Sequence, residues 1–293
     1  MPPDSPAGRR RRLKARVAER DAMLLPGASN ALTARIVEDL GFEAVYLTGA
    51  GLTNMQLGMP DLGLVTATEI AETASRISDA CALPLVVDID TGFGNALNVY
   101  RTVQLLERAG AAALQIEDQV FPKKCGHFDG KGVVPLDEML GKVKAALDAR
   151  QDSDTQIIAR TDARAVEGID RALERAEALI EVGADVIFVE APESLEEVRR
   201  IGRLPAPPLI NLVVGGKTPM LTLDEIRGCG FAVVLYANAA LQATIKAVQG
   251  VLGHLKANGS LEGVEGAMAS FVERQRLVGK PAFDAREARY AGG

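Results

Sequence analysis

The chain of 293 residues has no tryptophan, two histidines, three cysteines and only 4% aromatic residues. Each shortage excludes something. Few aromatics leave no material for base-stacking platforms, sugar-stacking clefts or a membrane aromatic belt. His127 and His254 cannot supply the two or three imidazoles of a typical catalytic zinc site, so any metal must be held mainly by oxygen. Cys81, Cys125 and Cys229 are an odd, widely spaced set without C-x-x-C, which argues against a disulfide framework or zinc knuckle. A reducing, cytoplasmic setting is expected. No run of about 18 apolar residues occurs, and no apolar segment follows Arg9 to Arg12, so neither a membrane span nor a leader is expected. With 33 basic and 39 acidic side chains the net charge is -6, which offers nucleic acid and anionic lipid no general attraction.

What the chain does have is 47% hydrophobic residues, enough for a large core, and short β-branched runs that alternate with amphipathic helical patterns. Eight strands are predicted: Met23 to Pro26, Ala44 to Thr48, Leu85 to Asp90, Ala113 to Glu117, Gln156 to Arg160, Val186 to Glu190, Leu209 to Leu212 and Val233 to Tyr236. Between the fourth and fifth, Leu136, Met139, Leu140, Val143, Ala146 and Leu147 mark one helix face. Ile169, Leu173, Ala176 and Ile180 repeat the pattern in the next unit. Without a linker or composition break, this predicts one (β/α)₈ TIM barrel over residues 22–257. Residues 1–21 read as a basic N-terminal helix or arm, solvated and partly frayed. Residues 258–293 form a helical tail that the barrel does not need.

Chemistry in such a barrel sits at the C-terminal ends of the strands. There the residues are unusually polar: Thr48 and Gly49, Asp88 and Asp90, Glu117 and Asp118, Arg160 and Asp162, Glu190, and Asn211. A period of two sends Asp88 and Asp90 to one face, and Glu117 pointing the same way brings three carboxylates together. Such a cluster needs a cation, and carboxylates with water suit Mg²⁺ or Mn²⁺. The alternative is that some of them cap helices or pair with Arg160 and Lys123. In Lys123-Lys124-Cys125-Gly126-His127, after the fourth strand, a thiol flanked by lysines and histidine is expected to have a lowered pKa, suiting it to proton transfer or nucleophilic attack. Two motifs are discounted. Asp90-Thr91-Gly92-Phe93-Gly94 lacks the third glycine of a dinucleotide fingerprint, and Gly215-Gly216-Lys217-Thr218 has Asn211 where a phosphate-binding loop needs glycine.

These blocks, with Tyr46-Leu47-Thr48-Gly49, Pro60-Asp61-Leu62-Gly63, Ile116-Glu117-Asp118-Gln119 and Ala159-Arg160-Thr161-Asp162-Ala163, resemble the isocitrate lyase and phosphoenolpyruvate mutase superfamily over about Ala22 to Gly259. The resemblance implies a barrel whose last helix is exchanged between subunits, usually in a homotetrameric dimer of dimers, and an Mg²⁺-dependent active site. It makes Asp88 the direct metal ligand, with Asp61, Asp90 and Glu117 acting mostly through metal-bound water. Tyr46, Thr48, Gly49, Ala50 and Gly51 would line the site of an α-keto acid carboxylate, with Arg160 as anion clamp. Lys123, Gly126, His127 and Asn211 would bind the rest of a small carboxylate substrate, Glu190 would support the site, and Cys125 would be the acid or base.

The Lys-Lys-Cys-Gly-His loop is that of the carbon–carbon lyases of this superfamily. It implies retro-aldol cleavage of a 2-alkylmalate or 2-methylisocitrate-type acid to pyruvate or a related α-keto acid plus a carboxylate. Oxaloacetate hydrolysis or decarboxylation, a carboxyphosphonoenolpyruvate mutase-like reaction, and a binding barrel without turnover are the rivals. Two departures bear on the choice. Val214 stands where many relatives have glutamate, and Ala237 where lyases of methylisocitrate or dimethylmalate tend to have proline and oxaloacetate hydrolases serine. Both point to a less polar pocket, suited to an alkyl-bearing malate.

Overall fold

The structure, a computed structural model, describes residues 5–124, 126 and 130–291. Eight parallel strands close on themselves in sequence order: β1 (Met23–Ala28), β2 (Val45–Leu47), β3 (Leu85–Asp88), β4 (Ala111–Glu117), β5 (Gln156–Thr161), β6 (Val186–Val189), β7 (Pro208–Asn211) and β8 (Val233–Tyr236). This is the (β/α)₈ barrel expected from the alternating patterns. Closure is made by β1 on β8, where Met23 pairs with Val233 and Pro26 with Tyr236. Three expected strands are shorter: β2 lacks Ala44 and Thr48, β6 lacks Glu190, and β3 loses its last two residues. β3 stops at Asp88, and Asp90 takes a left-handed φ of 47°, so the chain turns at the barrel mouth instead of continuing the strand.

Thirteen α-helices occur among the described residues, and α1 (Pro6–Ala18) corrects the picture of a frayed arm. Leu13 and Val17 are buried with the inward side chains Met23, Leu25, Val86, Ile158, Val186, Leu209 and Val233, closing the N-terminal end of the barrel. Burying each contributes about 1.5–3 kcal/mol. Arg9 and Arg10, expected in solvent, are also buried. The Arg9 guanidinium donates to the Ser78 carbonyl at 2.9 Å. Arg10 donates to the carbonyls of Ala111 at 3.1 Å and Glu107 at 2.6 Å. Strand starts and helix ends leave carbonyls without partners, and two planar cations satisfy them here.

The outer helices follow in turn: α2 (Ala31–Asp39), α3 (Gly49–Leu52), α4 (Ala67–Ala80), α5 (Ala96–Arg108), α6 (Leu136–Ala149), α7 (Ala163–Glu167), α8 (Ile169–Glu181), α9 (Leu195–Gly202) and α10 (Leu223–Gly228). Polar side chains start many of them. Thr66 with Glu69, and Thr222 with Glu225, form reciprocal capping boxes on α4 and α10. The predicted faces of α6 and α8 turn inward on Met139, Val143, Ala146 and Ala176, with Leu140, Leu147, Ile169, Leu173 and Ile180 half-buried against the core, while Leu179, outside the predicted face, is buried too.

Past β8 the pattern changes. α11 (Ala239–Asn258) buries none of its residues, and Ile245, Val248, Leu252 and Leu255, spaced three or four apart on one face, are exposed. α12 (Phe271–Leu277) returns to the barrel. Arg276 grips Asp39 of α2 through two contacts of 2.6 Å, and Arg35 donates to the Leu277 carbonyl at 3.3 Å. α13 (Lys280–Ala291) is exposed throughout. No helix among the described residues is long and apolar enough to cross a membrane.

Candidate active site

A cleft opens at the C-terminal ends of the strands, lined by Tyr46, Thr48, Ala50, Asp61, Asp88, Glu117, Lys123, Lys124, Gly126, Arg160, Glu190, Asn211, Val213, Leu235, Ala237 and Asn238. Most residues singled out from the sequence are brought here. Cys125 and His127 lie outside the described residues.

Asp88 anchors one side. Its Oδ2 accepts the Gly49 N–H at 3.3 Å, and its Oδ1 accepts the Asp90 N–H at 3.1 Å and the Gln115 amide at 3.3 Å. The Tyr46 hydroxyl donates to Gln115 in turn. Burial, followed by the charge of Asp88, pushes the Tyr46 pKa well up, so the phenol remains a donor. The sequence reading missed Gln115. It stands two residues before Glu117 in an otherwise apolar strand, so period-two counting places it on the same inward face.

Asp61 and Asp90 do not stand free beside Asp88. The Lys123 ammonium pairs with Asp61 and lies 2.8 Å from Asp90 Oδ1, with both carboxylate side chains largely buried. Lys123 thus faces the carboxylates, a pairing weighed as the alternative to a metal, and it also lines the cleft. Among the described residues no three His, Cys, Asp or Glu side chains close into a metal cage. The convergence expected of Asp88, Asp90 and Glu117 is therefore looser than a cage.

Negative charge still prevails. Among the described residues, Asp61, Asp88, Asp90, Glu117 and Glu190 outnumber the cations Lys123, Lys124 and Arg160 around the cleft. Burial, and then the charges of Asp88 and Asp61 against the opposing pull of Lys123, raise Asp90 to about 6. Burial also pushes Glu117 well above the carboxylate range despite Arg160. Glu117 Oε1 is buried without a hydrogen-bond partner among the described residues. An excess of carboxylates with an orphaned oxygen fits a hard divalent cation that keeps most of its water, as Mg²⁺ does.

Arg160 leaves β5 opposite Glu117, its register partner on β4. Its Nε and Nη2 donate to the two oxygens of Asp162 at 2.9 and 3.1 Å. Nη1 lies 3.3 Å from Glu117 Oε2 and 3.4 Å from Glu190 Oε2, and the guanidinium sits 5.1 Å from the Phe188 ring centroid. Burial opposes its charge, but Asp162, Glu117 and Glu190 raise its pKa further still. Asp118 stands behind this group. It accepts the Asp162 N–H at 2.8 Å, the Thr161 hydroxyl at 2.7 Å and Arg175 Nε at 3.1 Å.

The loop after β4 reaches the same place. A Cβ on Gly126 would stand 2.5 Å from Arg160 Nη2 and 2.6 Å from Glu190 Cδ, so only glycine allows this approach. Of the backbone groups expected to hold a carboxylate, Gly49 N–H is engaged by Asp88 and Gly51 N–H by Thr48 Oγ1 at 3.1 Å, leaving Ala50 on the cleft wall. The far wall joins Val213, Leu235 and Ala237 to two amides, Asn211 and Asn238, whose buried Oδ1 atoms lack hydrogen-bond partners among the described residues. Asn238 was missed because it follows β8 as an apparent helix cap, yet its side chain makes no capping bond. Val214 is 68% exposed and lines no part of the cleft, so the apolar wall is owed to Val213 instead.

Comparison with known proteins agrees with this geometry. The phosphoenolpyruvate phosphomutase family profile matches residues 13–256. The chain is 46% identical over 272 residues to 2,3-dimethylmalate lyase of Eubacterium barkeri, covering 92% of this chain and 94% of that protein. It is 45% identical over 277 residues to 2-methylisocitrate lyase of Aeropyrum pernix, covering 94% and 89%. Among solved structures, oxaloacetate acetylhydrolase in complex with the inhibitor 3,3-difluorooxalacetate superposes with a TM-score of 0.91 at 34% identity, over 99% of both chains. Phosphonopyruvate hydrolase in complex with oxalate and Mg²⁺ superposes with a TM-score of 0.87 at 31% identity, over 97% of this chain and 99% of that one. The chain belongs to the phosphoenolpyruvate mutase/isocitrate lyase superfamily. It is an enzyme, of the carbon–carbon lyase class.

Proposed function

We propose that the protein is an Mg²⁺-dependent lyase that cleaves a 2-alkylmalate, or a 2-methylisocitrate-type acid, to pyruvate or a related α-keto acid plus a carboxylate. One observation carries the reading. A single cleft holds a carboxylate excess around Asp88, the Arg160 cation, an apolar wall of Val213, Leu235 and Ala237, and Gly126 of the Lys-Lys-Cys-Gly-His loop.

In this reading Asp88 would hold Mg²⁺ directly, and Asp61, Asp90 and Glu117 would hold its waters. The ion would supply Lewis-acid polarisation of the substrate oxygens. Thr48, Ala50 and the backbone from Gly49 to Gly51 orient the carboxylate that becomes part of the keto acid. Arg160, Asn211 and His127 bind the other carboxylate, Tyr46 and Glu190 support the pocket, and Gly126 lets the loop approach Arg160. Once a carboxylate of the cleft takes the proton of the 2-hydroxyl, the oxygen forms the keto C=O and the adjacent carbon–carbon bond breaks. The electron pair passes into the leaving fragment, whose carboxylate becomes an aci-carboxylate. Arg160 and Asn211 stabilise this charge as it develops, and the Cys125 thiol delivers the proton to carbon. Ala237 on the cleft wall favours an alkyl-bearing acid over oxaloacetate, for which the resemblance expects serine there.

The subunits assemble, in this proposal, as a tetramer in the cytoplasm. The uncovered apolar face of α11 supports an exchanged helix, and Leu252→Glu should yield smaller species in light scattering. The function is tested by incubating the protein with Mg²⁺ and alkylmalates, methylisocitrate or oxaloacetate, then measuring keto acid, oxalate and CO₂. Keto acid from an alkylmalate or methylisocitrate is expected. Oxalate from oxaloacetate alone would replace this reading with hydrolysis.

A further inference from the structure

We propose that Lys131 is a positioning residue for Arg160, its buried ammonium fixing the loop backbone at Gly126 and the Asp162 carboxylate in one arrangement. Lys131 lies beyond the Lys-Lys-Cys-Gly-His loop, and its side chain is 1% exposed. Its Nζ lies 2.7 Å from Asp162 Oδ1 and also donates to the Gly126 carbonyl.

Asp162 is the pivot. Its Oδ1 is shared between Lys131 and Arg160 Nη2, while Oδ2 receives Arg160 Nε. Asp118, held by Arg175, fixes the Asp162 backbone from behind. Arg160 already faces Glu117 and Glu190, so its charge is heavily claimed. By balancing Asp162, Lys131 leaves more of the Arg160 field for an anionic substrate. Without it, Asp162 draws on Arg160 alone among the described cations, and the guanidinium turns toward the protein's own carboxylates. The second contact matters equally. Gly126 stands so close to Arg160 and Glu190 that a shift of its backbone moves the wall against which the guanidinium is set. An apolar residue would serve packing here, whereas a buried ammonium that joins loop to anchor gives a defined geometry.

The inference rests on the proposed function for its ligand but not for its geometry, and the test separates the two. Lys131→Met is compared with wild type for oxalate affinity in the presence of Mg²⁺, for kcat and KM on the substrate found, and for tryptic cleavage after Lys123 and Lys124. The variant is expected to melt lower but remain folded at the assay temperature, to bind oxalate at least tenfold more weakly there, to lose more in kcat/KM than in kcat, and to be cut faster. A small-to-large series of alkylammonium ions added to Lys131→Ala should restore activity best at the size of the missing side chain. Unchanged oxalate affinity and cleavage in a folded Lys131→Met overturn the proposal. Losses that merely follow a lowered melting temperature, without ammonium rescue in Lys131→Ala, overturn it as well. A wild-type protein that binds no oxalate counts against the function, while the cleavage comparison still decides the role of Lys131.

Discussion

Replacing Asp90 with asparagine should stabilise the metal-free protein at neutral pH, an unusual outcome for removing a buried, ion-paired carboxylate. The reason lies in the balance at the cleft. Burial and the charges of Asp88 and Asp61 outweigh Lys123, raising Asp90 from 3.8 to about 6. With the native pKa above the unfolded one, the native state binds more protons between these values. Stability from this group is therefore fully present below 3.8 and falls as pH rises through about 6. At 1.36 kcal/mol per decade, the interval corresponds to about 3 kcal/mol lost above pH 6. For 293 residues, an unfolding entropy of about 0.6 kcal/mol/K converts this into about 5 °C. Thermal melts of wild type and Asp90→Asn in EDTA at pH 4, 5, 6 and 7.5 should show a gap widening with pH in favour of the variant. Added Mg²⁺ should close it by stabilising wild type more. A variant that melts lower than wild type at pH 7.5 in EDTA would refute the claim that uncompensated charge is stored here.

Further outcomes follow from particular contacts. Gly126→Ala should lower kcat/KM by at least about tenfold with little change in melting, because the added methyl collides with Arg160 and Glu190 in the cleft rather than in the core; steady-state kinetics and a melt check it. Arg10→Met should cost about 2–4 kcal/mol in urea unfolding, because the carbonyls of Ala111 and Glu107 lose their buried donor at the far end of the barrel, while kcat stays near wild type. Cys125→Ser should abolish turnover while Mg²⁺-dependent stabilisation persists, and unchanged activity would remove the thiol from the mechanism.

The barrel was legible because burial on both faces selects β-branched runs, and because polar residues collect where those runs end. Asp88, Glu117, Arg160 and Asn211 could be located from strand ends alone. What escaped depends on contacts distant in sequence. A run of four arginines looks like a solvated surface until the carbonyls of Glu107 and Ala111 are placed beneath Arg10. Likewise, Lys131 resembles an ordinary loop charge, and although the strand ends locate Asp118 and Asp162, only folding joins the three behind Arg160. The Asp88-Ile89-Asp90 pattern suggested two carboxylates along one strand. The left-handed turn at Asp90 instead directs the second carboxylate to Lys123, a change no periodicity encodes.

The central claim is that this cleft breaks a carbon–carbon bond under Mg²⁺. It is tested most directly by following 2,3-dimethylmalate by proton NMR with the purified protein and Mg²⁺. Pyruvate and propionate should appear in equal amounts, stop on addition of EDTA and resume with excess Mg²⁺. No keto acid from this or any other 2-hydroxy acid, with oxaloacetate still hydrolysed to oxalate and acetate, would contradict the account.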